Sequence, residues 1–213
     1  MRKYTFQFLL LVMGLLVFTA CDEDETTATP EPTPVEVITV SDLAADPTTG
    51  RDPETGRPIS EGKFTFFSLR TNEIVANSDS ASTNWDIAFK GTTIWINGGT
   101  ARFGEGGAYI HTGTFEAFTE IPESQTFRTD ESEGNLAIPT GSGEGWYNYN
   151  PMSNIVTPIP GRVLVIRTAD GRFAKLEILS YYQGAPAEPA PGIPSRYYTF
   201  RYAFQPDGSR SFE

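Results

Sequence analysis

From Arg162 to Phe204 the chain carries three strand-like runs separated by turn signals, the second and third alternating between two faces with period two. The first run, Arg162 to Thr168, is β-branched and carries no helical period. Ala169-Asp-Gly-Arg172 follows, and Asp-Gly between two apolar runs predicts a tight hairpin, because glycine takes positive φ without strain. In the second run, Phe173 to Tyr182, Ala174, Leu176 and Ile178 share one face, and Lys175 and Glu177 the other. The third run places Tyr198, Phe200, Tyr202 and Phe204 on one face, and Tyr197, Thr199, Arg201 and Ala203 on the opposite one. Such alternation predicts half-buried antiparallel strands, with the aromatic row turned to a core.

Upstream the pattern is shorter-ranged. Val35 to Val40 reads as an edge strand and Lys63 to Leu69 as a further strand, with Glu73-Ile-Val75 after a polar turn. Trp85, Ile87 and Phe89 are expected on one face of the next strand, and Thr92 to Ile96 forms its partner. Two successive Asp-Pro…Gly-Arg units at 46–51 and 52–57 predict turns, and the acidic spacing there matches no EF-hand. Residues 97–108 are glycine-rich, a segment able to bring its backbone close to a ligand. Tyr109 to Thr112 reads as a short strand leaving that segment. Phe115, Phe118 and Ile121 sit at near-helical spacing, but Pro122 stops a helix. Trp146 to Met152 is an aromatic loop, and Gln183 to Pro194, with four prolines, is a surface loop. Outside the N-terminus no stretch has a helical apolar stripe, so the fold class is all-β: a single antiparallel β domain.

The N-terminus is a different kind of segment. Arg2 and Lys3 precede the apolar run Phe8–Phe18, and Phe18-Thr-Ala-Cys21 follows the layout of a secretory signal with small residues before the cut. It resembles a bacterial lipoprotein signal, which implies lipidation of Cys21. The expected organisation is a signal peptide over 1–20, a lipidated acidic and Pro/Thr-rich tether over 21–34, and the β domain over 35–213. Asp22-Glu-Asp-Glu25 resembles the surface-export signal of Bacteroidota lipoproteins. Cys21 is the single cysteine, so packing alone must hold the exported domain.

Charge narrows the partners. Removing residues 1–20 takes two of the 16 basic side chains and leaves 14 against 27 acidic ones, a formal charge of −13. Such a surface repels nucleic acid and anionic headgroups, leaving the acyl anchor as the membrane link. Candidate catalytic groups are few. His111 is the only histidine, no Gly-x-Ser-x-Gly elbow surrounds a serine, and spacing singles out no carboxylate pair. Binding is a better expectation than catalysis.

Trp85-Asp-Ile-Ala-Phe89, Asn97-Gly-Gly99, Gly104–Ala108, Tyr149-Asn-Pro-Met152, Val165 to Leu176, Ser180-Tyr-Tyr182 and Tyr197 to Tyr202 together resemble the HmuY family of Bacteroidota surface lipoproteins, in order from about Phe64 to Phe212. The resemblance implies haem capture from the surroundings or from host haemoproteins, and transfer to a TonB-dependent receptor in the outer membrane. The family's founding member ligates iron with two histidines and other members with methionines. Here His111 with Met152 is the pair available, since a thioether can take an axial position. Trp146, Tyr147 and Tyr149 would then cover the porphyrin faces. A second expectation is a glycan- or protein-binding lipoprotein on the same fold, using tyrosine and tryptophan as stacking platforms.

Overall fold

The structure, a computed structural model, describes residues 35–213. The predicted signal, Cys21 and the tether lie outside the described residues. Among those residues there is no α-helix, only a 3₁₀ turn at Asn77–Asp79. The three runs that dominate the sequence become β11 (Arg162–Arg167), β12 (Phe173–Tyr182) and β13 (Ser195–Gln205). They are flanked by β1 (Val37–Ala44) and β8 (Gly107–Thr112) in a five-stranded antiparallel sheet of order β1-β13-β12-β11-β8. Gly171 closes the β11–β12 turn at φ +85°, its N–H donating to the Thr168 carbonyl, as Asp-Gly predicts. Register then aligns Ile110, Leu164, Leu176, Tyr202 and Ile38 in one row across all five strands.

That row faces a second antiparallel sheet, β5-β4-β6-β7, built from β4 (Thr65–Ser68), β5 (Glu73–Val75), β6 (Ile87–Lys90) and β7 (Thr93–Ile96). Ile87, Phe89, Ile94 and Ile96 alternate inward, and the rings of Phe67 and Phe89 meet Phe200 at centroid distances of 5.7 and 5.5 Å. Trp85 departs from the expected face. The chain leaves strand geometry before β6, and the indole packs instead with Phe64 and Phe66 on the outer side of this sheet. Asp86 at that break turns inward, fully buried, and joins the two sheets. Its carboxylate accepts the N–H of Leu69 at 2.9 Å and of Ala169 at 3.0 Å.

The large sheet is covered on both faces, where alternation predicts one. Phe115, Phe118 and Ile121, at helix-like spacing, lie as an irregular strap over Val163, Val165 and Ala203, joined by Phe212 from the C-terminus. Lys175, the polar member of its strand, is buried beneath this strap. Its amine donates to the carbonyls of Phe115 (2.9 Å) and Phe118 (2.7 Å), which satisfies an ammonium that would otherwise be costly to bury.

The glycine-rich segment packs on the chain itself. A Cβ on Gly98 would lie 1.9 Å from the Gly106 carbonyl oxygen. Asn97, fully buried between the two, donates to the carbonyls of Ser82 and Trp85 and accepts from the N–H groups of Phe103 and Gly104. The Asp-Pro repeat forms turns as expected. Asp52 accepts the N–H groups of Glu54 and Thr55 between the two-residue strands β2 (Gly50–Arg51) and β3 (Pro58–Ile59), and Asp46 accepts from Ser60 and Gly62. The last two strands, β9 (Tyr147–Asn150) and β10 (Ile155–Pro158), form a separate hairpin packed beside β12.

Candidate functional site

Met152 lies in the four-residue turn that joins β9 to β10. Its N–H donates to Asn150 Oδ1 at 2.9 Å, which holds the backbone, while its side chain is 92% exposed. Asn154 takes positive φ (+56°) and accepts the Tyr149 hydroxyl at 2.7 Å, so one ring braces the turn from outside. The result is a rigidly held turn presenting a free thioether to solvent. The same turn supplies Ser153 and Asn154 to the wall of a cleft of about 550 Å³. Tyr182 and Ile155 also line the cleft, and Pro191 and Ile193 of the β12–β13 loop contribute to it. That volume is within the range of small-molecule sites, roughly 300–1,000 Å³.

His111 lies elsewhere. On β8 it pairs in register with Val163 and faces the strap, its ring 4.7 Å from that of Phe118. It lines a groove of about 270 Å³ with Tyr109, Phe118, Glu120 and Gln125. Gly113 leaves room for the imidazole, since a Cβ there would be 2.6 Å from Nε2. Burial pushes the neighbouring Tyr109 phenol up to about 12. The groove that His111 lines and the cleft beside the Met152 turn share no lining residue.

The expected porphyrin-packing aromatics divide. Tyr149 is 42% exposed beside Met152. Trp146 and Tyr147 are core residues instead: the indole donates to the Thr92 carbonyl and packs on Tyr181 and Tyr198, and the Tyr147 hydroxyl accepts the Gly141 N–H. An aromatic run directly before a hairpin fills the gap between that hairpin and the main sheet, and sequence carries no mark that separates this from a ligand wall. The tryptophans also offer no open stacking platform. Trp85 and Trp146 are buried, and Trp95 is covered by Phe64 at 3.5 Å and by the Arg102 guanidinium at 3.8 Å. Sequence reasoning missed the cleft itself, whose walls come from a proline-rich loop and a turn with no shared pattern.

Two other buried carboxylates are structural. Burial raises Asp86 and Asp130 above the ordinary aspartate range, against the backbone N–H groups that each accepts. Asp130 accepts from Ile96 and Ala137 and lies 3.8 Å from Arg102. Among the described residues no group of three or more His, Cys, Asp and Glu side chains converges to hold a metal ion.

These features describe an all-β scaffold of two packed sheets, with a braced turn offering one soft ligand at the edge of a cleft. The family model for the HmuY protein matches residues 60–202, and the chain belongs to the HmuY family. Solved structures similar to it include a candidate HmuY-like haem-binding protein of Bacteroides vulgatus, with 13% identity over 80% of this chain and 92% of that one, TM-score 0.47. The apo HmuY analog TFO of Tannerella forsythia is 17% identical over 81% of this chain and 96% of that one, TM-score 0.43. Apo PinO of Porphyromonas gingivitis is 18% identical over 81% and 98%, TM-score 0.44. Among curated proteins, none matches this chain.

Proposed function

We propose that this protein is a non-catalytic haem-binding lipoprotein of the outer membrane. It is anchored through Cys21 after removal of residues 1–20, and displays the β domain on the cell surface. Membership of the HmuY family supports the haem reading, and one observation carries it on this chain: an exposed thioether, Met152, on a braced turn beside a cleft whose walls mix polar groups (Arg51, Ser153, Asn154, Ser195) with Ile155, Tyr182 and Ile193. A thioether is a soft, neutral iron ligand, and Tyr149 beside it offers an aromatic face to a flat ligand. His111 is the domain's one imidazole, a second candidate ligand for haem iron. Because it lines a separate groove, the two act as alternative single ligands in this conformation, and a joint site requires movement of the Met152 turn or the strap. Haem drawn from the surroundings or from host haemoproteins would pass to a TonB-dependent receptor. The test is a haem titration of the purified protein followed at the Soret band. Wild type gives a saturable shift that Met152→Ala weakens at least about tenfold. A featureless titration overturns the haem reading; a shift lost only in His111→Ala moves the site to the strap groove.

A further inference from the structure

The outer edge of β1 is open. Sheet order ends at β1, which pairs with β13 on one side, and among the described residues no strand pairs with its other side. The second sheet ends at β5, and the two free edges flank a groove of about 680 Å³. Residues 39–44 of β1 form one wall, and Asn72, Glu73 and Ile74 the other. Its floor is apolar, with buried Leu43 and Phe67, while Ile74 on the wall is 63% exposed and Val37 on the edge 51%. An open edge exposes unpaired N–H and C=O groups, which natural sheets blunt with charge or a bulge. Here the bulge lies at one end: register shifts between Val40 and Leu43, with Asp42 at φ +54°. Among the described residues nothing pairs with the outer edge of Val37–Val40.

We propose that this edge receives an extended basic peptide segment as an added strand. Main-chain pairing along Val37–Val40 would supply the affinity, and alternate side chains of the peptide would enter the groove beside Ile74 and Phe67. Charge selects the occupant. Asp42 and Glu73 line the groove and Glu36 precedes it, no lysine or arginine lines it, and none of these three carboxylates is in an ion pair among the described residues. A second copy of this chain would bring the same carboxylates face to face. The chain's own Asp22–Glu25 run would be repelled in the same way. A lysine- or arginine-bearing strand of a partner protein fits both the pairing edge and the field. This surface is independent of the cleft beside Met152, and the proposal stands whether or not haem binds.

The experiment uses the purified protein and a short fluorescein-labelled peptide alternating lysine and valine. Two control peptides accompany it, one alternating glutamate and valine and one with the lysine–valine sequence N-methylated along its backbone. Anisotropy reports binding, and amide hydrogen exchange reports its place. The expected result is saturable binding of the lysine–valine peptide with slowed exchange across 37–41. Neither control binds, and Glu73→Lys, an exposed position, weakens binding at least about tenfold while leaving the exchange pattern of the core unchanged. Binding of the N-methylated peptide would reduce the effect to charge attraction and overturn strand addition. Equal binding of the glutamate peptide, protection elsewhere, no binding, or a concentration-dependent dimer protected at β1 would each overturn the proposal as well.

Discussion

Replacing Asp86 with asparagine removes one oxygen from the point where the two sheets are joined, and the structure gives the size of the effect. The carboxylate receives the N–H of Leu69 on one oxygen and of Ala169 on the other, at 2.9 and 3.0 Å, in a fully buried site. Asparagine keeps one acceptor and turns its NH₂ toward the other N–H, so one buried donor loses its partner at a cost of about 1–3 kcal/mol. Arg70 loses an ion pair at 3.4 Å but keeps Asp170 at the same distance, which adds less than about 1 kcal/mol. Relief of the buried charge offsets part of the loss, leaving a net cost near 2 kcal/mol. For a domain of this size that lowers Tm by about 4–8 °C. Urea unfolding followed by tryptophan fluorescence measures the free energy directly. Acid adds a second signature. Burial raises the folded carboxyl above its unfolded value, so the folded state binds the proton more tightly, and the wild-type contribution falls as pH rises from about 4 through the raised value. Asparagine does not titrate, so the gap between wild type and variant is widest in acid and narrows toward neutrality. A loss under about 0.5 kcal/mol, or a gap independent of pH, would refute this account of the joint.

Two further substitutions test the packing around the site. Gly98→Ala drives a Cβ into the Gly106 carbonyl, backbone against backbone, and is expected to cost about 3 kcal/mol or more, while Gly134→Ala, with nothing within 4 Å, stays within about 0.5 kcal/mol; equal effects in urea unfolding would contradict the close approach. Lys175→Met removes the donor to two carbonyls of the strap and is expected to cost about 1–2 kcal/mol, speeding amide exchange across 115–121 and leaving β13 unchanged; unaltered exchange there would show that Lys175 does not hold the strap.

The sequence carried the sheet well and its coverings poorly. The β-branched run 162–168, period two in the next two runs, the Asp-Gly turn and the edge character of Val35–Val40 led to β11, β12, β13 and β1 because local geometry and side-chain direction are coupled within a strand. The strap was illegible for a physical reason: Phe115, Phe118 and Ile121 bury themselves from an irregular backbone, and irregular backbone imposes no period. Trp85 followed the alternation on paper, but Asp86 breaks the strand to reach two backbone N–H groups, and the indole turns to the other side. Glycines 98, 104 and 106 marked a close approach that the sequence suggested for a ligand, and the structure shows the partner to be the chain itself. At the site, the loop character of Met152 was readable, the strand position of His111 also, and their placement on separate surfaces was not, because proximity depends on how the β9–β10 hairpin docks.

The central claim is that haem enters the cleft beside Met152, and amide hydrogen exchange with and without haem tests it most directly. The account predicts slowed exchange confined to the β9–β10 turn and the β12–β13 loop, around residues 150–155 and 190–193, and needing at least about tenfold more haem in Met152→Ala. Protection confined to the strap around His111, or none at saturating haem, would contradict it.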